Sequence, residues 1–451
     1  MEPEQEYDRR SSSSNSKIHY LHSADKKSSR SGKNSLIKFK NLNRKEAQGS
    51  NLVAVNDFIK NSLPSTPVYC LRPAIIKKAV DFFVKNFESS KNPTEILYSV
   101  KSNPDRQVLS HLFTSGIKHF DVASIVEVKL INELFGDKVK MYFMHPIKSR
   151  ESIKQAYFDF GIRDFSLDCF DELHKILDAT NNAKDLGLHV RLSIPNSHSA
   201  IDLSGKFGIL PSESVGLLRK VRASSQRLGI CFHVGSQCMD PVEYRNAIMI
   251  TKEIVENAKI NLDVLDVGGG FPSIYPGMTP PNLQSYFDEI FDSINQLNLN
   301  NKCKIWCEPG RALVAEAGSL VVRVEGRKNN MLYINDGTYG GLFDAGYPGF
   351  IYHTKAIRVA KKSALSSQKD AFGFYGPTCD SLDTMKGPFY LPENIGEGDY
   401  IEIGQLGAYS RSIRTEFNGF NKNIQIEVRD EPLESMYLEL SSQESSNKFK
   451  F

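Results

Sequence analysis

The chain has no apolar run approaching the roughly 18 residues of a membrane-spanning helix, so no membrane partner is expected. Cysteine is scarce: there are seven in 451 residues, and no two form a C-x-x-C pair. That argues against a disulfide scaffold and a zinc ribbon, and no metal site is expected. Net charge is small as well. The 56 Lys/Arg and 53 Asp/Glu leave +3, which argues against a dedicated nucleic-acid binder. There is one tryptophan, Trp306, read as packing, and no internal repeat. The opening MEPEQEYD is acidic and lacks an apolar core, which speaks against a secretory signal. A cytoplasmic location with reduced thiols is expected.

What is present is ample core material. Hydrophobic residues make up 40% and charged residues 24%, and the length predicts two or three domains. Residues 1–50 stand apart, with eleven Lys/Arg, six Asp/Glu and eleven Ser. The mild basicity of the chain lies in this segment. Such a composition buries too little apolar surface to offset its ordering entropy, so a disordered tail is expected. Residues 441–451 read the same way. KKSALSSQKD (361–370) reads as an exposed loop.

The body alternates short β-rich runs with amphipathic helical stretches. The runs are EILYSVK (95–101), IKHFDVA (117–123), KVKMYFM (138–144), IRDFSLD (162–168), LGLHVRLSI (186–194), LGICFHVG (228–235), LDVLDVGGG (262–270) and CKIWCEPG (303–310). Each has the apolar character of a buried parallel strand. Between them, PVEYRNAIMITKEIVENAK repeats apolar residues every three or four positions. Eight β-then-α units over about 220 residues match a (β/α)8 TIM barrel, with a doubly wound open sheet as the competitor. The expected barrel spans 75–315. After it, SLVVRVEG, NMLYIND, HTKAIRVA and DYIEIG alternate apolar and polar residues and read as antiparallel strands. The segment SLPSTPVYCL could pair with them. The expected second domain is therefore β-rich, built from 51–74 and 316–440.

Reactive side chains gather where the β-runs end: Lys101, Asp121, His145, Asp168, Arg191, His233, Gly268 to Gly270 and Glu308. Taken singly, each is as readily a salt-bridge or turn residue. In a barrel they share one mouth. A lysine can form a Schiff base with a carbonyl when held in a cleft. Three glycines after the seventh run let backbone N–H groups approach an anion, as in a phosphate nest. EPGR adds a carboxylate and an arginine. Together these suggest pyridoxal 5'-phosphate (PLP), with an acidic group for its ring nitrogen.

The motifs YSVKSN, FDVAS, HVGSQC, LDVGGGFP, EPGR, GPTCDSLD and GDYIEIGQLGAYSRSIRTEFNGF occur in this order. In them the chain resembles the fold-type III PLP-dependent decarboxylases, and among these the ornithine decarboxylases, over about residues 60–430. The resemblance implies decarboxylation of L-ornithine to putrescine, the entry to polyamine synthesis. It implies that Lys101 holds the PLP aldehyde, Glu308 pairs with the ring nitrogen and His233 stacks on the ring. Ser236, Gly268, Gly269, Gly270, Gly310, Arg311 and Tyr409 would surround the phosphate, with Asp121 and Arg191 near the other ring substituents. Cys379, as proton donor, and Asp380, for the distal ammonium, would serve the neighbouring subunit of a homodimer with shared sites. Lys206 and Asp383 match a cross-subunit ion pair. An antizyme-type inhibitor is a further implied partner. Two alternatives are a lysine/ornithine dual enzyme and a catalytically silent homologue of the antizyme-inhibitor kind.

Diaminopimelate decarboxylases read C-E-S-G-D where this chain has Cys379-Asp380-Ser381-Leu382-Asp383, which favours ornithine or lysine. One departure concerns selectivity. Animal-type ornithine decarboxylases carry a Tyr-Asp pair about eight residues past the YG of NDG-x-YG. Here Tyr347 is followed by Pro348, and Asp344 is the substitute offered for the distal amine. The remaining cysteines read as small buried residues. His145 and His198 read as structural.

Overall fold

In the computed structural model of the chain, residues 52–195, 199–201, 205–359 and 363–438 are described. The two expected tails and His198 lie outside them. Eight parallel strands close into a barrel: β1 (Thr94–Ser99), β2 (His119–Val122), β3 (Lys140–Phe143), β4 (Asp164–Leu167), β5 (Gly187–Arg191), β6 (Arg227–Cys231), β7 (Val264–Asp266) and β8 (Lys304–Cys307). Each pairs with its sequence neighbours, and β8 pairs with β1 to close the ring.

The strand period of two sorts side chains into two shells. Tyr98, Phe120, Phe143, Phe165, Leu188, Ile230, Leu265 and Ile305 join the large core that includes the surrounding helices. Their neighbours Leu97, Tyr142, Cys231, Val264 and Trp306 form a separate cluster inside the ring. The helix Val242–Ala258 buries Tyr244, Ala247, Ile248, Thr251, Ile254 and Ala258, the stripe its periodicity predicts. Other helices start at side-chain caps. Asp105 accepts from Gln107 N–H, and Ser124 from Glu127 N–H.

The remaining strands form an eight-stranded sheet. They are Val68–Leu71, β9 (Gly318–Lys328), β10 (Met331–Ile334), β11 (Thr354–Ile357), β12 (Lys369–Tyr375), β13 (Thr384–Pro392), β14 (Tyr400–Ile403) and β15 (Ile424–Glu427). Val68–Leu71 runs antiparallel to β9, the pairing the sequence offers. The sheet is nevertheless mixed: β10 and β12 are parallel, as are Val68–Leu71 and β15. The exposed loop read at 361–370 also ends early, because β12 starts at Lys369. Its Phe374 stacks on Phe389 of β13 at 4.1 Å between centroids. Within 51–74, Val55–Ser62 is helical and sets Val55 and Ile59 against Val68, Val321 and Tyr400.

Arg72 ties the start of the barrel to this sheet. Its guanidinium lies 2.6 Å from Glu402 and donates to Ser319 Oγ at 2.8 Å and to the Asp430 carbonyl at 3.0 Å. Both charged side chains are almost fully buried. Removing one partner leaves a buried charge uncompensated. Arg72→Ala is therefore expected to cost about 3–5 kcal/mol, read as a lower denaturant midpoint, and a joint apolar replacement of both partners should cost far less.

Candidate active site

The inward positions of the strands become polar towards the C-terminal end of the barrel. Lys101 lies in the single 3-10 turn Val100–Ser102 that follows β1. Its Nζ is 3.0 Å from Asp121 Oδ2 at the end of β2, and Ser99 Oγ donates to the same oxygen at 2.9 Å. The lysine side chain is 43% exposed in the mouth, whereas Asp121 is buried. Burial pulls the ammonium down, but Asp121 and Glu308 outweigh it, and Lys101 ends above the usual lysine range.

His233 follows β6. Burial, and then Arg191 and Lys101, push its imidazole well below the ordinary histidine value, so the ring is neutral. Gly235 N–H donates to its Nδ1 at 3.0 Å, which leaves the proton on Nε2. The seventh strand runs into the three glycines. Gly268 and Gly270 have φ of 71° and 109°. A Cβ on Gly268 would collide with the Phe232 carbonyl oxygen, and one on Gly269 would lie 2.6 Å from the Glu308 carbonyl oxygen. The loop thus presses three strand ends together with bare backbone. Gly268→Ala is expected to cost more than about 1–3 kcal/mol and to weaken PLP binding, measured together by thermal melts with and without added PLP.

Glu308 follows β8. Burial, and then Asp266 and Asp121, hold its carboxyl well above the usual range. Asp266 ends β7 and is itself pushed up to about 6, chiefly by burial. Sequence reading missed Asp266. The signal was its place two residues after Val264, on the face turned into the barrel.

Arg311 is buried beyond Glu308. It donates to Tyr275 Oη at 2.9 Å and to Ser236 Oγ at 3.3 Å, and it lies beneath the Tyr409 ring at 4.9 Å. Its Nε is a buried donor with no acceptor among the described residues. A cationic donor beside a loop of bare N–H groups fits a phosphate. Lys101 in the mouth, with Glu308 beneath it, fits the ring of PLP.

The mouth opens on a cavity of about 540 Å³ lined by Lys101, Asp121, Arg191, Lys206, His233 and Ser236. A larger opening of about 680 Å³ lies at the other end of the barrel and contains none of the expected site residues. There Arg227 pairs with Asp164, and Lys304 with Glu95. His145 lines the mouth, edge-on to Phe207.

Four residues named from the sequence lie away from the mouth of their own chain. Cys379 and Asp380 lie on an exposed turn between β12 and β13, and neither lines the mouth of its own chain. Asp380 accepts from Leu382 N–H and Tyr339 Oη, which hold its carboxyl below the usual range. Asp344 requires correction. It is buried 3.7 Å from Arg311, at the phosphate end, and is not placed for a distal amine at the mouth. Asp383 is buried too. It accepts from both Thr338 and Thr378, and so braces its own loop.

Residues 74–315 match the family described as pyridoxal-dependent decarboxylase, pyridoxal binding domain. A lysine/ornithine decarboxylase of Selenomonas ruminantium is 31% identical over 345 residues, which is 75% of this chain and 84% of the relative. An ornithine decarboxylase of Schizosaccharomyces pombe is 31% identical over 344 residues, 72% of this chain and 75% of that one. Antizyme inhibitor 2 of Xenopus laevis is equally similar, 31% over 359 residues, covering 72% and 74%. Among solved structures, SrLDC in complex with PLP and cadaverine superposes with a TM-score of 0.70 at 26% identity, covering 88% of this chain and 97% of that one.

Proposed function

Since the chain belongs to the fold-type III PLP-dependent decarboxylases of the ornithine, lysine and arginine family, we propose that it converts L-ornithine to putrescine and carbon dioxide. We further propose that it works as a homodimer with shared sites. The carrying observation is that Lys101, Asp121, His233, Glu308 and Arg311 converge at one barrel mouth while Cys379-Asp380 stands on an exposed turn away from it. A second copy would bring that turn to the mouth. Leu382 and Tyr347, 74% and 92% exposed, supply apolar surface for such an interface.

PLP, when bound, supplies an electron sink for the carbanion left by loss of carbon dioxide. The chain supplies the rest. Lys101 would hold the cofactor covalently, with Asp121 3.0 Å from its amine. The neutral His233 ring would pack against it without adding charge. Glu308 would serve the ring nitrogen, and Arg311, Ser236 and the glycine loop would take the phosphate. Cys379 of the partner subunit delivers a proton to the α-carbon, and the partner's Asp380 faces the distal ammonium.

The second reading is a dual enzyme. It is supported by the lysine/ornithine relative and by Tyr347-Pro348 in place of a Tyr-Asp pair. A silent antizyme-inhibitor-like role is disfavoured, because Lys101, His233, Glu308, Arg311 and Cys379 are all retained. The deciding experiment is carbon dioxide release from L-ornithine, L-lysine and meso-diaminopimelate with added PLP. Since ornithine and lysine differ by one methylene, a preference for ornithine on the order of ten- to two-hundredfold in kcat/KM is expected. Comparable turnover of lysine would make the chain a dual enzyme.

A further inference from the structure

Asp266 and Glu308 occupy inward positions at the ends of adjacent strands, on either side of Gly268. In the β7–β8 register Asp266 lies opposite Trp306, and Glu308 follows two residues later, on the same face. Gly268 joins them: its N–H donates to Asp266 Oδ1 at 2.8 Å, and its carbonyl accepts from Glu308 N–H at 2.8 Å. Asp266 is fully buried, and its Oδ2 has no hydrogen-bond partner among the described residues, while Glu308 lies on the same inward face at the end of the adjacent strand.

The surroundings do not favour two bare carboxylates. The other titratable groups facing the pair are Asp121 from β2, His189 from β5, Cys231 from β6 and Lys101 above it, with Cys307 of β8 turned to the outer shell. Lys101 is already paired with Asp121. His189 places its Nε2 3.0 Å from Asp164 Oδ1, on the side away from the mouth. Like charges this close in a dry interior are relieved by sharing one proton.

We propose that Asp266 is a positioning residue that holds one proton jointly with Glu308, so that Glu308 meets the cofactor as a proton-bearing carboxyl and draws none from solvent. This rests on the reading that Glu308 faces the ring nitrogen. It also assigns Asp266 a second task, keeping the phosphate loop in step with Glu308 through Gly268. Asp266→Asn separates the two tasks. The amide oxygen still accepts from Gly268 N–H, but the pair no longer shares a proton.

Infrared spectra of the full-length chain, with the cofactor dialysed out at mildly alkaline pH, read that proton through the deuterium-sensitive carbonyl stretch of a protonated carboxyl. Wild-type-minus-variant spectra are expected to show one such band lost in D266N and the same band lost in E308Q. If D266N does not fold, E308Q still gives the reading. A band that persists in either folded variant overturns the shared proton. PLP is then added back, with calorimetry in buffers of different protonation enthalpy. D266N should take up about one more proton from solvent than the wild type. A merely loop-bracing role leaves that count unchanged. If the band is present in the wild type, lost in the variants, and yet unmoved by PLP, the proposal falls through its premise about Glu308 and not through the pair.

Discussion

Replacing Lys101 with alanine is expected to lower carbon dioxide release by on the order of 10⁴-fold or more, the scale of losing a group that acts on the reacting atoms. The bland alternative is that Lys101 only neutralises Asp121, 3.0 Å away. Lys101→Arg separates the readings, because a guanidinium keeps the ion pair but forms no covalent bond with an aldehyde. Both variants should therefore be equally inactive, and borohydride should trap PLP on Lys101 in the wild type alone. An arginine variant with more than about a tenth of wild-type activity would reduce the lysine to a charge.

Two inactive variants mixed together are expected to recover activity. Lys101→Ala removes the covalent anchor, and Cys379→Ala removes the group on the exposed turn. In a mixed dimer with shared sites, one of the two sites keeps both side chains. Random mixing makes half the dimers mixed, so recovery should reach about a quarter of wild-type activity. Each chain alone holds Lys101 at the barrel mouth and Cys379 away from it. If subunit exchange is confirmed by mass and no activity returns, the shared site is wrong, and Cys379 must act within its own chain or not at all.

Much of this site is legible in the residues because a barrel strand exposes its chemistry at one place, its C-terminal end. Lys101, Asp121, His233 and Glu308 are readable there, as is the glycine loop, where any side chain would strike neighbouring backbone. Asp266 was not legible. Inside LDVLDVGGG it looks like one more residue of a buried run, and only the two-residue alternation turns it inward beside Glu308. Asp344 was misjudged for a related reason. Its neighbours in sequence do not show that Arg311, 33 positions earlier, packs against it.

The sequence by itself determined the barrel strands and their order, the helical stripes between them, the PLP-dependent family and the residue types at the mouth. These follow from local signals: apolar runs, periodicity and the steric demands of glycine. Tertiary structure alone decided that the eight strands close, because closure depends on β8 meeting β1 across more than two hundred residues. It also decided that the second sheet is mixed, since pairing partners distant in sequence leave no local mark on either strand. The protonation of the buried carboxyls was decided there as well. Burial and like charge raise Asp266 and Glu308, and both come into being only when the chain packs.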